Sequence, residues 1–457
     1  MRHVGKEPET AFGATRRGFF LGVGATVASR SLAFAAEAPG PRALEAAAGI
    51  SQLLPSPAPA TTLLGFTEAA GAKGVSPGPL LRYRQGDMLA ARLQNRTTSP
   101  LSLHWQGLRG ENGMDGAAPL TQTPVAPGAS FDYRRPLPDP GIFCYRPSVF
   151  PLSAELVGRG LKGLMIVDEP TALAGDADLA LLLDDWKLDE KGELDGTFFR
   201  NASAGPIVTV NGAPAPAQFT FAPRARVRLR LANLAIARIM ALSFDGVTPY
   251  VIAIDSQPCD SFVPVRQTIP VAPGARFELM FDLSPEKGAK ARVILRGLDG
   301  ADRDLLTFAT DGATAPGRGP IASLPQNPAL PREIKLQESK KVDLAIAPAG
   351  AEWTINGAAT KGYAGPPLFR VKRGTPVTLG FDNHSDVPLV MHVHGHAVRL
   401  LHDLDDGWEP YWRNAIVAPP KKTKHVAFVA DSPGQWALHD DILPHEAAGL
   451  ATWFEVE

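Results

Sequence analysis

Apolar and polar residues alternate in short segments along most of the chain, which predicts β-strands with one buried face. Three of these segments end in asparagine and occupy residues 88–95, 227–233 and 377–383. Three others begin near Phe131, Phe277 and Val426, each shortly after a proline-containing turn. Tight turns that lead into alternating strands are typical of hairpins and sandwiches. The pattern therefore predicts an all-β protein with few long helices.

The turns repeat at a fixed spacing. Val125, Val271 and Val417 each begin a Val-Ala-Pro sequence, and 271 − 125 and 417 − 271 both equal 146. An ordered recurrence of strand, turn and strand predicts three related β-sandwiches. A Pro-, Gly- and Ala-rich stretch separates the last two turns and reads as a linker. We predict domains at residues 37–170, 171–312 and 338–457, with the linker at 313–337.

Composition limits the classes of function. The 457 residues include 46 Lys and Arg against 47 Asp and Glu, for a net charge of −1, so a basic nucleic-acid-binding face is not indicated. Two cysteines exclude a thiolate zinc or iron–sulfur cage. Cys144 and Cys259 could form a disulfide or stay as buried free thiols, and we favour free thiols.

The N-terminus has the pattern of an export signal. Arg16 and Arg17 directly precede an apolar, Gly-rich stretch that ends near Ala35. We interpret residues 1–36 as a twin-arginine signal peptide, which places the mature protein in the periplasm. No later apolar run approaches 18 residues, so we expect no integral membrane segment in the mature chain. We also expect the protein to be a monomer.

Histidines are concentrated near the C-terminus. His392, His394 and His396 alternate along one predicted strand, so their side chains should share one face. Neutral imidazoles on one face suit copper or zinc. For the triplet alone, a polar strand with hydrogen-bonded histidines is an equally good interpretation.

Further motifs give the triplet a context. The chain contains His-Trp-Gln-Gly at 104–107, Met-Asp-Gly at 114–116, Met-His-Val-His-Gly-His at 391–396, and His-Asp-Asp at 439–441 followed by His-Glu-Ala-Ala-Gly-Leu at 445–450. Together they resemble the multicopper oxidases, the laccase-like family with three domains. The resemblance covers nearly all of the predicted mature chain and implies cupredoxin-like Greek-key β-sandwiches.

The resemblance also implies ligands that this chain has changed. The family's blue copper is held by two His, a Cys and usually a Met, and it passes electrons to a cluster of three coppers. The blue-copper positions fall here on Leu389, Asp440, His445 and Leu450. Only His445 matches, so the family's route of electron entry is expected to be lost.

Four His-x-His pairs hold the three-copper cluster in the family. Here the corresponding positions carry His104 with Gln106, Arg146 with Ser148, His392 with His394, and His439 with Asp441. The residues that match could hold one copper or zinc at His104, His392, His394 and His439, with affinity falling below about pH 6.5.

The changed positions suggest a replacement for the missing metal. By the family pattern Arg146, Asp441 and Gln106 face the same lost copper. We predict that Arg146 and Asp441 form a bidentate ion pair in that cavity, with Gln106 hydrogen-bonded nearby.

Two classes of function follow. The first is a catalytically silent binding or structural protein of the cell envelope or divisome, because the chain resembles an exported cell-division branch of the family that lacks the copper ligands. Its partner would be an envelope or divisome protein. The second is a copper-binding oxidoreductase that keeps a single copper at His104 and His392, or a copper-sequestering protein. Enzymatic activity is left open at this point.

Overall fold

The computed structural model describes residues 41–171, 173–297, 301–402 and 407–457. The predicted signal peptide lies outside the described residues. The described residues from 41 to 457 belong to one compact unit in which strands far outnumber helices, which confirms the all-β prediction. Among the described residues, none of the helices has the length and apolar character needed to cross a membrane.

The first part of the chain forms two four-stranded sheets, with strand orders β2-β1-β4-β6 and β3-β8-β7-β5. Their strands are β1 Arg42–Ser51, β2 Thr61–Thr67, β3 Leu81–Arg84, β4 Met88–Asn95, β5 His104–Gln106, β6 Ser130–Pro136, β7 Gly141–Arg146 and β8 Gly163–Asp168. A short helix, α1 (Ser153–Gly158), precedes β8.

The middle part forms a seven-stranded and a five-stranded sheet, ordered β11-β10-β9-β13-β18-β15-β16 and β12-β20-β19-β14-β17. Their strands are β9 Ala177–Trp186, β10 Ile207–Val210, β11 Ala213–Pro214, β12 Ala217–Phe221, β13 Arg226–Asn233, β14 Met240–Asp245, β15 Tyr250–Ile254, β16 Gln257–Phe262, β17 Thr268–Val271, β18 Arg276–Asp282, β19 Lys290–Leu295 and β20 Arg303–Thr310.

The last part repeats this arrangement, with sheets ordered β23-β22-β21-β25-β30-β27-β28 and β24-β32-β31-β26-β29. Their strands are β21 Lys340–Ala349, β22 Glu352–Ile355, β23 Ala358–Ala359, β24 Arg370–Val371, β25 Thr375–Asn383, β26 Leu389–Val393, β27 Val398–Leu401, β28 Trp408–Arg413, β29 Ala415–Ala418, β30 Thr423–Ala430, β31 Gly434–Asp440 and β32 Ala451–Val456. A second helix, α2 (Leu443–Ala447), joins β31 to β32.

The repeated asparagines explain the repeated turns. Each ends a central strand, and its side-chain amide donates to a carbonyl of the following Val-Ala-Pro sequence. The amide nitrogens of Asn95, Asn233 and Asn383 lie 2.9, 2.8 and 3.0 Å from the carbonyl oxygens of Val125, Val271 and Ala418. All three asparagines are buried, so each bond satisfies a polar group that burial would otherwise make costly.

Candidate metal centre

Strands from the two ends of the chain bring the predicted histidines together. His104 lies on β5, opposite Arg146 of β7, and His392 of β26 pairs with His439 of β31. The Nε2 atoms of His104 and His392 are 3.4 Å apart, although 288 residues separate them in sequence. The predicted approach of these two side chains is therefore present in the structure.

The Nδ1 atoms of His104 and His392 both face a backbone carbonyl oxygen. The Nδ1 atom of His104 lies 2.9 Å from the carbonyl oxygen of Asp115, and that of His392 lies 3.0 Å from the carbonyl oxygen of Asn414. A carbonyl only accepts hydrogen bonds, so Nδ1 carries the proton in both rings. Each Nε2 therefore presents a lone pair to the other, an arrangement that a cation between them would stabilise.

His394 and His439 form a second pair. Nδ1 of His394 lies 2.8 Å from Oδ2 of Asp115, and Nδ1 of His439 lies 3.1 Å from the carbonyl oxygen of Asp440. Their Nε2 atoms are 2.8 Å apart. At this distance the two nitrogens can share a proton or be bridged by a cation, and the Nε2 atoms of all four imidazoles face one buried space.

Burial keeps the imidazoles of His392, His394 and His439 neutral. It lowers the pKa of His394 to about 3, lowers the pKa of His392 well below its ordinary value, and lowers the pKa of His439 in the same direction. Neutral imidazole is the form that binds a metal ion, so protons do not compete with metal at neutral pH.

The donor set fits copper or zinc. The ligand nitrogens of His104, His392 and His394 all lie within 4.8 Å of one another and are buried. Their Nδ1 atoms are held by oxygen acceptors, as is usual for metal-binding histidines. The residues present could therefore hold one such ion.

Asp115 is a part of the centre to which sequence reasoning assigned no role. It is fully buried, and it contacts His104 through its backbone and His394 through its side chain. Burial opposes ionisation of its carboxyl, but the imidazoles of His394 and His104 lower its pKa well below the usual range. The Met-Asp-Gly sequence that follows His104 was the available signal, but one carboxylate there does not specify a partner.

The cavity beside the imidazoles contains the predicted ion pair. Nη2 of Arg146 contacts Oδ1 of Asp441, and Nε2 of Gln106 donates to Oδ2 of Asp441 over 2.6 Å. Burial works against ionisation of Asp441, yet the Arg146 guanidinium brings the pKa of this carboxyl below its usual range. The predicted bidentate geometry is wrong, because Gln106 occupies the second carboxylate oxygen and leaves Arg146 a single contact.

The positions assigned to the blue copper hold a carboxylate and an imidazole. Oδ2 of Asp440 lies 2.8 Å from Nδ1 of His445, and Oδ1 of Asp440 accepts hydrogen bonds from the backbone amides of Val390 and Ile442. Leu389 and Leu450 are buried in the apolar core of the last pair of sheets. Ser148 is also buried, and its carbonyl accepts from the amide of Ala118 and the hydroxyl of Ser102.

His396 does not share the face of His392 and His394, so this prediction is wrong. β26 ends at Val393, and Gly395 then adopts a positive φ of 69°. The His396 ring is directed among aromatic side chains, 5.0 Å from Phe428 and 5.3 Å from Trp436 between ring centroids. The alternation that predicts one face therefore extends to His394 and is broken at Gly395.

Neither cysteine is in a disulfide. Cys144 and Cys259 are both free and buried. Burial raises the pKa of each thiol to about 12, so neither is a thiolate at neutral pH. The favoured interpretation of two buried free thiols is confirmed.

Glu446 should make stability depend on pH. Its carboxyl is buried on α2 and accepts a hydrogen bond from the Ser153 hydroxyl, and burial raises its pKa to about 8. The folded chain therefore retains a proton that the unfolded chain releases near pH 4.5, and the folded state loses stability as pH rises from about 4.5 to 8. Relative to Glu446→Gln, the unmodified protein should lose about 1.4 kcal/mol of unfolding free energy per pH unit across that window. Denaturant unfolding at several pH values measures this slope.

The exposed Glu155 provides the matched control. Glu155→Gln should leave the slope of the unmodified protein in place. Equal slopes for Glu446→Gln and the unmodified protein would contradict a protonated Glu446.

Comparisons with known proteins agree with this geometry. Multicopper oxidase family models match residues 59–172 and 328–457. The crystal structure of a multi-copper oxidase from Pseudomonas thermotolerans superposes with a TM-score of 0.79 at 30% identity, covering 91% of this chain and 98% of that one. The chain belongs to the multicopper oxidase family, and the predicted cupredoxin-like sandwiches are confirmed.

Individual relatives fall into two groups. The multicopper oxidase MmcO of Mycobacterium tuberculosis is 27% identical over an alignment of 421 positions, and the match covers 82% of this chain and 81% of MmcO. The cell division protein FtsP of Proteus mirabilis is 31% identical over an alignment of 229 positions, and the match covers 48% of this chain and 47% of FtsP. The chain thus resembles both a named oxidase and a named cell-division protein.

Proposed function

We propose that this protein is a multicopper oxidase relative that does not reduce dioxygen and that serves as a binding or structural protein of the cell envelope. The observation that carries this proposal is the buried Arg146–Asp441 pair. A guanidinium and a carboxylate occupy positions where the family has cluster histidines, and a fixed cation there opposes binding of a second cation. Four-electron reduction of dioxygen requires several coppers that act together.

The blue-copper positions support the same proposal. Asp440 stands where the family has its cysteine, so the soft sulfur ligand is replaced by a hard oxygen that is already bonded to His445. Both cysteines lie elsewhere as buried thiols. A chain without this ligand lacks the family's route for electrons from substrate to cluster.

The proposed location is the periplasm, after twin-arginine export. The Arg16-Arg17 segment supports export, and the likeness to FtsP supports a place in the envelope or divisome. The partner would be an envelope or divisome protein and not a nucleic acid, with the chain acting as a monomer.

A second candidate function is binding of one metal ion, and the convergent Nε2 atoms favour it. His104, His392 and His394 would hold a single copper or zinc, with His439 close by. A bound copper would supply one-electron redox chemistry or simply be sequestered. Asp115 and the backbone carbonyl of Asn414 would keep the imidazole lone pairs directed at the ion.

Metal analysis combined with an oxygen-uptake assay on phenolic substrates tests both candidates. After exposure to Cu(II) or Zn(II), the mature protein should hold about one ion per chain and consume no oxygen above the buffer control. His392→Ala should abolish the bound metal, whereas His384→Ala, which changes an exposed histidine, should not. Three or more coppers with sustained turnover would overturn the first proposal, and an unchanged metal content in His392→Ala would overturn the second.

The structure also alters the expected pH dependence of this binding. Sequence alone predicts loss of affinity below about pH 6.5, the range of an ordinary histidine. Because burial lowers the pKa values of His392, His394 and His439, metal should stay bound below that range.

A further inference from the structure

A turn from the middle part of the chain reaches the metal centre without contributing an imidazole. Asp255 follows β15, has a positive φ of 49° and is 3% exposed. Its Oδ1 accepts the backbone N–H of Arg276 at 2.9 Å. Its Oδ2 accepts the backbone N–H groups of Asn414 and Ala415 at 2.8 and 3.0 Å. One carboxylate therefore fixes the chain between β28 and β29.

The Ala415 N–H and the Asn414 carbonyl belong to the same peptide group. Its N–H end donates to Asp255, and its C=O end accepts the Nδ1–H of His392 at 3.0 Å. The carboxylate, the peptide and the imidazole thus form one continuous series of hydrogen bonds. Hydrogen bonds in series polarise one another, so a carboxylate at one end strengthens the bond at the other.

We propose that Asp255 is a positioning residue that acts on His392 through this peptide group. It increases the negative charge on the Asn414 carbonyl oxygen, which tightens the bond to Nδ1–H and makes Nε2 a better donor to a metal ion. His394 receives the same assistance directly from the carboxylate of Asp115. The inference rests on the second candidate function and identifies what the middle sheets supply to the centre.

Surrounding contacts prevent the peptide from rotating. Nη2 of Arg276 donates to the Asn414 side-chain oxygen at 2.8 Å, and Nη1 donates to the Gly274 carbonyl at 2.6 Å. The Asn414 side-chain nitrogen donates to the His396 carbonyl at 3.2 Å. Asn414 is therefore held on its backbone and on its side chain, and its carbonyl stays aligned with His392.

Asp255→Asn tests the proposal, because it removes the charge and keeps the shape. In the metal-free variant, the Nδ1–H proton resonance of His392, assigned with His392→Ala, should move upfield from its position in the unmodified protein. Copper or zinc affinity should fall by about 10- to 100-fold. Tyr411→Leu is the matched control: Tyr411 stacks on Phe262 where β16 and β28 meet, 5.8 Å between centroids, and takes no part in the series. It should change neither readout.

The unmodified protein supplies a test that needs no folded variant of Asp255. The acceptor of His439 is the Asp440 carbonyl, and the N–H end of that peptide donates to the neutral carbonyl of Val390. The His392 Nδ1–H resonance should therefore lie downfield of the His439 one. The reverse order, or an unmoved resonance in Asp255→Asn, would overturn the proposal. Absence of metal binding with the expected resonances would instead overturn only the second candidate function.

Discussion

Replacing Arg146 by alanine should lower the free energy of unfolding by about 3 to 5 kcal/mol, because it strands the carboxylate of Asp441 in a buried site. Asp441 is 0% exposed, and Gln106 is the other side chain that donates to its carboxylate. An uncompensated buried charge costs more than the ion pair itself contributes. Denaturant unfolding at neutral pH measures the change.

Two variants separate this effect from ordinary loss of a salt bridge. Arg146→Met combined with Asp441→Leu removes both charges and should cost much less than Arg146→Ala alone. Arg92→Ala breaks an ion pair with Asp132 in which both side chains are more than half exposed, so it should change the free energy of unfolding far less than Arg146→Ala does. A neutral Arg146→Ala would mean that the cavity is stabilised by other groups.

Gly274→Ala should destabilise the protein by about 2 to 5 kcal/mol. Gly274 has a φ of +76°, and a Cβ atom there would lie 2.1 Å from Oδ2 of Asp441 and 2.2 Å from Nε2 of Gln106. The added methyl group would therefore push apart the hydrogen-bonded side chains that link the first and last parts of the chain. Thermal and denaturant unfolding measure the loss, and reduced metal affinity of the adjacent imidazoles would accompany it.

The repeat provides the control for this substitution. Gly128 occupies the corresponding turn of the first part, with a φ of +81° and no atom within 4 Å of an added Cβ. Gly128→Ala carries the same conformational cost without the collision, so it should lose only about 1 to 2 kcal/mol. Equal losses for the two variants would show that contact with Asp441 and Gln106 is unimportant.

The sequence predicted the architecture because its signals are local and repeated. Alternation identifies strands, and the recurrence of an asparagine before a Val-Ala-Pro turn identifies equivalent sheets. The structure adds the physical reason for the recurrence, since each asparagine amide bonds to the turn that follows it.

The interior of the site was predicted less completely. His104, His392 and the Arg146–Asp441 contact followed from matching positions to a family pattern. Asp115 and Asp255 did not, because single carboxylates in turns reveal nothing about the backbone groups that they meet. The predicted direction of the His396 side chain was wrong because Gly395, which has a positive φ, ends the alternation.

The long separation of the residues in the cavity has a consequence for the order of folding. Gln106 and Asp441 are 335 residues apart in sequence, and His104 and His392 are 288 apart. Closing so long a loop before other contacts exist carries a high entropic cost, and non-local pairings form slowly. Each set of sheets can form from nearby segments first, so the centre is assembled last. During refolding, the backbone amides around this cavity should therefore become protected from hydrogen exchange later than the amides of the surrounding sheets.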